Sequence, residues 1–511
     1  MDGPLLVIDR DDARPLGAQL VEGLRRGILD GRLQAGDPVP STRSLATELG
    51  VARSSVVAAY EQLAGEGYLE MRQGAPTRVA SVVVEERAQH ASPDRPATGS
   101  RDAASRLLDQ HQPAAASRLL DQHQPAAAAG LLDPQQPDAA ALDLRPGRPS
   151  TARLDERAWR AAWRQAARLA VPGDTAPRLG ASRLRAEIAD HLRHARGVTC
   201  TPEDVVVTAG TSDAVALLAS ALRMLVDGTP RVAVEHPGYP SARRVLERRG
   251  ALATVPVPVD GDGIDVTELR DIRPAPHAVM VTPSHQYPLG GRLPVAARLG
   301  LLEWAAASGA VIIEDDYDSE FRHVGAPLPA LASLDRGGRA VLVGSFSKVL
   351  TPWLRLGYLV LPADPALRAA VVAVRDDEVC PVPGIAQEAG VELLATGAVR
   401  RHIAAARRDY AHRRKLVLAE LSGVAGAPLS GLDGGLHAVV ALPSHDVAAR
   451  VVARLADDGV LVSPLSDYSA VPGEGPSGIV LGYASPPDAR LADALARVRA
   501  AIERELAASA A

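Results

Sequence analysis

Lysine is nearly absent from this chain: of 56 basic residues, only Lys348 and Lys415 are not arginine. Cysteine is as scarce, with Cys200 and Cys380 alone. That excludes a disulfide framework and leaves no Cys/His cluster at zinc spacing, so no metal is expected. No apolar run approaches the roughly 20 residues of a membrane span. The opening Met1-Asp2-Gly3-Pro4 lacks the basic segment of a secretion signal, so the expected location is the cytoplasm, with no membrane partner. A positive excess is missing too, and the net charge of −5 says nothing about partners.

Scarcity makes the lysines that are there informative. A guanidinium stays protonated and cannot condense with an aldehyde, whereas a lysine amine can. Lys348 sits in Gly344-Ser345-Phe346-Ser347-Lys348-Val349-Leu350-Thr351-Pro352-Trp353-Leu354-Arg355, where hydroxyls and a guanidinium suit a phosphate dianion. Upstream, Val311-Ile312-Ile313 breaks into Glu314-Asp315-Asp316-Tyr317-Asp318, as a buried parallel strand does at its C-terminal end, where open α/β sheets bind ligands. Pyridoxal phosphate (PLP) needs a lysine, a carboxylate against its ring nitrogen and donors for its phosphate. Lys348 and Asp315 supply the first two, and Tyr317, on the same strand face, can hydrogen-bond the ring oxygen. Val205-Val206-Val207-Thr208-Ala209-Gly210-Thr211-Ser212 reads as a strand, a turn and a helix start, whose backbone N–H groups bind phosphate. Lys415, in an arginine-rich helix from Val399, has no such neighbours.

Further apolar runs at 232–234, 278–281 and 340–343 alternate with helical segments such as 296–308, which predicts a parallel sheet. With these runs, Glu235-His236-Pro237-Gly238-Tyr239-Pro240, Thr282-Pro283-Ser284-His285-Gln286-Tyr287-Pro288-Leu289-Gly290 and the Asp315 and Lys348 segments, residues 143 to 500 resemble fold-type I aminotransferases. More closely, the chain resembles the MocR subgroup of GntR-type regulators. The resemblance implies that Lys348 carries the Schiff base, Asp315 faces the ring nitrogen, Tyr317 holds the ring oxygen, Tyr239 stacks on the ring, and His285 or Gln286 lies beside it. Gly210, Thr211, Ser212, Ser345, Ser347 and Arg355 complete the expected cofactor site.

The N-terminal end has its own reading. Leu16, Leu20, Leu24 and Ile28 form an i, i+4 stripe, predicting an amphipathic helix over 15–30. Residues 41–50, a turn at Gly50 and a helix opening on Arg53, Ser54 and Ser55 have the layout of a helix-turn-helix, with the second helix destined for the major groove. Residues 67–80 read as a wing carrying Arg72, Thr77 and Arg78. The stretch resembles the GntR-type DNA-binding domain, which implies double-stranded operator DNA as a partner. Residues 1–83 hold 9 Arg against 11 Asp plus Glu, so positive charge must be local, at Arg43, Arg53, Arg72 and Arg78. The wing reads Gly74-Ala75-Pro76-Thr77 where the family has Gly-Ser-Gly-Thr, removing one backbone donor.

Between the two regions, residues 105–116 recur unchanged as 117–128, in a tract free of aromatics. Prolines in each repeat prevent a long helix, so a flexible linker is expected. The expected organisation is thus a winged helix-turn-helix over 1–83, a linker over 84–141, and an α/β aminotransferase-like domain over 142–511 whose small α+β part begins near 385.

One question separates sensing from catalysis. A transaminase grips the α-carboxylate of its substrate with arginine, whose fork fixes orientation. The family's C-terminal arginine position is Val480 here, and another, two residues after the stacking tyrosine, is Ser241. The expected function is therefore a PLP-binding transcriptional regulator, sensing PLP or an amino acid bound to it. An active aminotransferase with an accessory DNA-binding domain is the alternative. The family resemblance also implies a head-to-tail homodimer.

Overall fold

The computed structural model describes residues 16–29, 32–34, 36–65, 68–71, 76–80, 141–324 and 329–510. The repeat tract lies outside the described residues, as do Arg72, Gly74 and Ala75.

Three helices and a two-stranded hairpin form the N-terminal unit: α1 (Leu16–Leu29), α2 (Thr42–Leu49), α3 (Arg53–Gly65), β1 (Leu69–Glu70) and β2 (Arg78–Val79). The expected stripe buries Leu20, Leu24 and Ile28, while Leu16, at the helix tip, stays exposed. They meet Leu45, Val56, Tyr60 and Leu63 in one cluster, each large aliphatic contributing about 1.5–3 kcal/mol. Ser41 caps α2 by accepting from Ser44 N at 3.1 Å. Gly50 ends it at φ +60, a left-handed turn that glycine adopts without strain.

The second unit opens on β3 (Leu142–Asp143), which pairs in parallel with β13 (Val460–Leu461) far along the chain. A seven-stranded sheet organises this unit, in the order β4 (Val205–Thr208), β10 (Gly357–Val360), β9 (Ala340–Ser345), β8 (Val311–Asp316), β7 (Ala278–Val281), β5 (Arg231–His236), β6 (Ala253–Pro258). All neighbours are parallel except β10, which runs antiparallel to both β4 and β9. Gly357 pairs with Thr208 on one side and Ser345 on the other. Helices cover the sheet, among them α4 (Glu156–Ala166), α5 (Ser182–Arg196), α6 (Thr211–Leu225) and α7 (Val295–Ser308). The arginine-rich helix α8 (Ala398–Leu421) leads to a smaller sheet of β11 (Leu429–Ser430), β12 (His437–Ala441), β15 (Gly478–Gly482) and β14 (Ser463–Pro464). Among the described residues no helix is long and apolar enough to cross a membrane.

Candidate functional site

Strand β8 carries its burial through all six residues, so the three carboxylates at its end are inside the protein. Side chains alternate along a strand, and the alternation separates their tasks. Glu314 accepts from Leu331 N at 2.8 Å and Ala332 N at 2.9 Å, and Asp316 accepts from Arg196 Nε at 2.7 Å. Asp315 faces the other way, into a cavity of about 270 Å³. Its Oδ1 is buried without a hydrogen-bond partner among the described residues. Burial, with Asp316 and Glu235 nearby, pushes its pKa up to about 8. A buried carboxyl left in this state fits a group that brings a proton or positive charge.

At the cavity's other end, β4 gives way to Gly210, held at φ +81, and α6 starts with Thr211 and Ser212. The turn is pinned by Asp213, which accepts from Ala209 N at 3.0 Å and from the buried Arg375 at 2.6 Å. Facing it, the loop after β9 folds back on itself through Ser345 Oγ, which bonds Ser347 Oγ at 2.9 Å and Ser347 N at 3.1 Å. Arg355, itself at φ +50, brings its guanidinium beside Gly210. Thr211, Ser212, Ser345, Ser347 and Arg355 all line the cavity, so hydroxyls, a helix N-terminus and a guanidinium converge as a dianion requires.

Lys348 lies between the two ends, with Nζ bonded to the carbonyl of Gly147. Burial pushes its ammonium below the ordinary value, against the opposing pull of Asp318 and Asp315. That favours the neutral amine needed for attack on a carbonyl.

Four rings crowd the cavity. Tyr239, Tyr287, Tyr317 and His437 all line it, and Tyr287 sits edge-on to Tyr239 at 5.9 Å, Tyr317 at 5.4 Å and His437 at 5.1 Å. Tyr317 follows immediately after the end of β8, yet keeps Asp315's side. Its hydroxyl lies 2.9 Å from His285 Nδ1, and that nitrogen lies 2.9 Å from Asp318 Oδ2. His285 is therefore behind Tyr317, outside the cavity lining. Burial alone would lower its pKa, but the charge and hydrogen bond of Asp318 outweigh that and raise it. His437, on β12, is buried, and its pKa falls to about 4; it donates from Nε2 to Pro288 O at 2.9 Å. His285, Asp318 and His437 bring potential metal-ligand atoms within 4.8 Å of one another, although hydrogen bonds already engage all three side chains.

The resemblance implied His285 or Gln286 beside the ring, and neither lines the cavity; Gln286 is buried. Its amide nitrogen bonds Glu235, Pro237 O and Tyr287 O at 2.9–3.2 Å, so it holds the loop together instead. Sequence reading missed Thr282, Tyr287, Asp318, Pro352, Leu436, His437, Pro146 and Gly147. Thr282, Tyr287, Asp318 and Pro352 had a signal, standing inside the segments that carry the resemblance; the others arrive from distant chain.

Among the described residues Arg355 is the only arginine that lines the cavity. Val480 is fully buried among Val439, Leu465 and Tyr468, and Ser241 and Arg243 lie outside the lining.

In the N-terminal unit, Arg43 on α2 and Arg53 and Ser54 at the start of α3 are exposed, and Ser55 is half-buried. Thr77 and Arg78 form the base of the wing: Thr77 O accepts from Val39 N at 3.0 Å, and Arg78 Nη1 donates to Gly36 O at 2.7 Å.

A winged helix joined to an aminotransferase-like sheet with a lysine-centred cavity defines a class of composite regulators, and the comparisons agree. Residues 152–498 match the aminotransferase class I and II family, and residues 16–79 match the gntR family of bacterial regulatory proteins. The chain belongs to the MocR-type GntR transcriptional regulators. It is 38% identical over 504 residues to the HTH-type pyridoxine biosynthesis transcriptional regulator PdxR of Corynebacterium glutamicum, covering 97% of this chain and 98% of that protein. It is 34% identical to the probable rhizopine catabolism regulatory protein MocR of Rhizobium meliloti, covering 94% and 92%. Among solved structures it is similar to LysN, the α-aminoadipate aminotransferase of Thermus thermophilus, complexed with N-(5'-phosphopyridoxyl)-L-leucine. That likeness has 27% identity and a TM-score of 0.65, over 72% of this chain and 93% of LysN.

Proposed function

We propose that this regulator binds PLP in the 270 Å³ cavity and that occupancy controls its binding to operator DNA. The observation that carries the reading is Asp315 Oδ1, buried and unpartnered, across a cavity from a phosphate-sized cluster of donors with Lys348 between them. PLP when bound supplies an aldehyde for the lysine and a protonatable ring nitrogen for Asp315. Lys348 would hold the aldehyde covalently. Tyr317 would meet the ring oxygen with His285 behind it, and Tyr239 would cover the ring. Gly210, Thr211, Ser212, Ser345, Ser347 and Arg355 would take the phosphate.

PLP itself is the effector we favour over an amino acid, because Val480 is sealed in an apolar cluster and, among the described residues, no arginine besides Arg355 lines the cavity to orient a carboxylate. The same feature argues against turnover as an aminotransferase. For DNA we assign Arg43, Arg53, Ser54, Ser55, Arg72, Thr77 and Arg78 of a winged helix-turn-helix over 1–83. A linker over 84–141 would tether it to the PLP domain over 142–511, whose small part begins near 385. Trp353, 91% exposed next to the cavity-lining Pro352, supports a homodimer in which a second copy covers this rim. PLP would then favour one arrangement of the two units by binding it better. The setting is the cytoplasm, where operator DNA is reached.

The test is to footprint DNA upstream of this gene and its neighbours with wild type and Lys348→Ala, with and without PLP, and to assay half-transamination on the same samples. A PLP-dependent footprint that Lys348→Ala abolishes is expected, with little conversion of amino acids. A footprint indifferent to both PLP and Lys348 overturns the sensor; robust turnover of an amino acid establishes the enzyme.

A further inference from the structure

Helix α4 (Glu156–Ala166) packs through Ala158, Trp159, Ala162, Trp163 and Ala166 onto the main core. Its outer face carries Arg157, Arg160 and Arg164, and Arg168 follows in the turn that continues it. At 3.6 residues per turn the four fall within an arc of about 80°, spread over roughly 16 Å. All four are exposed. Arg160 pairs with Glu156; Arg157, Arg164 and Arg168 have no ion-pair partner among the described residues.

Helix stability does not account for this pattern. Successive members are three or four residues apart, so each neighbouring pair is a like-charge contact that weakens a helix. Arg157 also stands in the first turn, where the helix dipole disfavours a cation. A merely solvated face would more cheaply alternate signs. Packing does not require the charges either, since the tryptophan and alanine side supplies it.

We propose that the Arg157–Arg160–Arg164–Arg168 stripe is a second DNA contact, gripping the phosphate backbone beside the site read by the winged helix. Residues 1–83 carry two more acidic than basic groups, so they are poorly supplied for the sequence-independent attraction that underlies protein–DNA affinity. The stripe runs alongside about five phosphates of one strand at 3.4 Å per step. The 57 residues between position 84 and the second domain leave chain enough for both units to reach one duplex. This inference rests on the DNA-binding reading and adds a surface outside the winged helix.

The experiment uses the full-length chain and a random-sequence duplex, with affinity measured by fluorescence anisotropy across a salt series. Neutralising three phosphate contacts in R157A/R164A/R168A makes the slope of log K against log salt shallower by about 2.7, since each contact contributes about 0.9. The lysine version, R157K/R164K/R168K, keeps the wild-type slope, and neither variant lowers the thermal midpoint, which the alanine variant raises slightly by relieving the like-charge contacts. A slope unchanged in the alanine variant overturns the proposal, as does a loss that the lysine variant shares. So does a loss that comes with an altered mass in ultracentrifugation, which would mark the stripe as a protein contact. Arg53→Ala separates the two surfaces: it weakens preference for the footprinted site over random DNA and leaves the stripe's share of the slope intact. Wild type that binds no duplex at all sinks the DNA reading and the stripe together.

Discussion

His285 Nδ1 lies 2.9 Å from Asp318 Oδ2, with both side chains almost completely buried. A ring nitrogen carries either a proton or a lone pair, not both. With Asp318 raising the pKa of His285, that nitrogen carries the proton and gives it to the carboxylate. Tyr317, 2.9 Å from the same nitrogen, cannot then donate to it, and its hydroxyl proton goes to Asp318, which takes hydrogen bonds from both rings.

His285→Gln should therefore cost stability in a pH-dependent way. A folded pKa raised above the unfolded value near 6.5 contributes stability that is complete below about pH 6.5 and lost as pH rises through the folded value. The deficit should be about 1.5–3 kcal/mol at acidic pH, the range for hydrogen bonds to charged groups. Urea unfolding followed by circular dichroism should show it shrinking on the alkaline side; a deficit that grows with pH would refute the pairing.

Asp315 carries the opposite liability. Its carboxyl, pushed up to about 8, holds a proton in the fold that the unfolded chain has already released at neutral pH. The folded state binds more protons, so this group's contribution to stability falls as pH rises from about 4 to 8. Asp315→Asn should raise the urea midpoint of PLP-free protein, by a margin that grows as pH rises from about 4 to 8, while abolishing tight PLP retention. Equal midpoints for variant and wild type across that range would contradict the assignment.

Gly435 is the backbone condition for the Asp318–His285 pair. It sits at φ +69, and a Cβ there would fall 2.2 Å from Asp318 Oδ2 and 2.8 Å from His285 Nδ1. Gly435→Ala should lower stability by about 1–3 kcal/mol. Calorimetry and PLP absorbance should both register it; a variant with an unchanged midpoint would show that the loop has room to move.

Arg53 is exposed at the first turn of α3, and its loss should leave folding within about 0.5 kcal/mol of wild type. Arg53→Ala should nonetheless weaken the operator complex by about 1–3 kcal/mol if it reaches a base edge, and flatten the salt slope by about one unit if it holds a phosphate. Anisotropy on the footprinted fragment distinguishes the two, and an unaltered complex would remove Arg53 from the interface.

Much of this was legible because local pattern and chemistry coincide. The apolar run from Val311 into carboxylates is the strand β8, though the strand includes Asp316 where the run ends at Ile313. The helix expected over 296–308 begins one residue earlier, and the wing appears as β1 and β2. What spacing could not convey was long-range closure. His437 reaches Pro288 across 149 positions, and Gly147 meets Lys348 across 201. Nothing local in Gly357–Val360 says that this strand reverses direction inside an otherwise parallel sheet. Nor could spacing show that Gln286, a polar residue beside the site, stitches a buried loop together.

The reversed strand has a mechanical consequence. Because Gly357 is laced to Thr208 and to Ser345, the two walls that flank the dianion end are rungs of one ladder and move as a single anvil. Pro146, Leu436 and His437 belong to other parts of the chain, with no such lacing to β10. On the reading proposed above, occupancy would be felt through those later-arriving segments rather than through this braced floor.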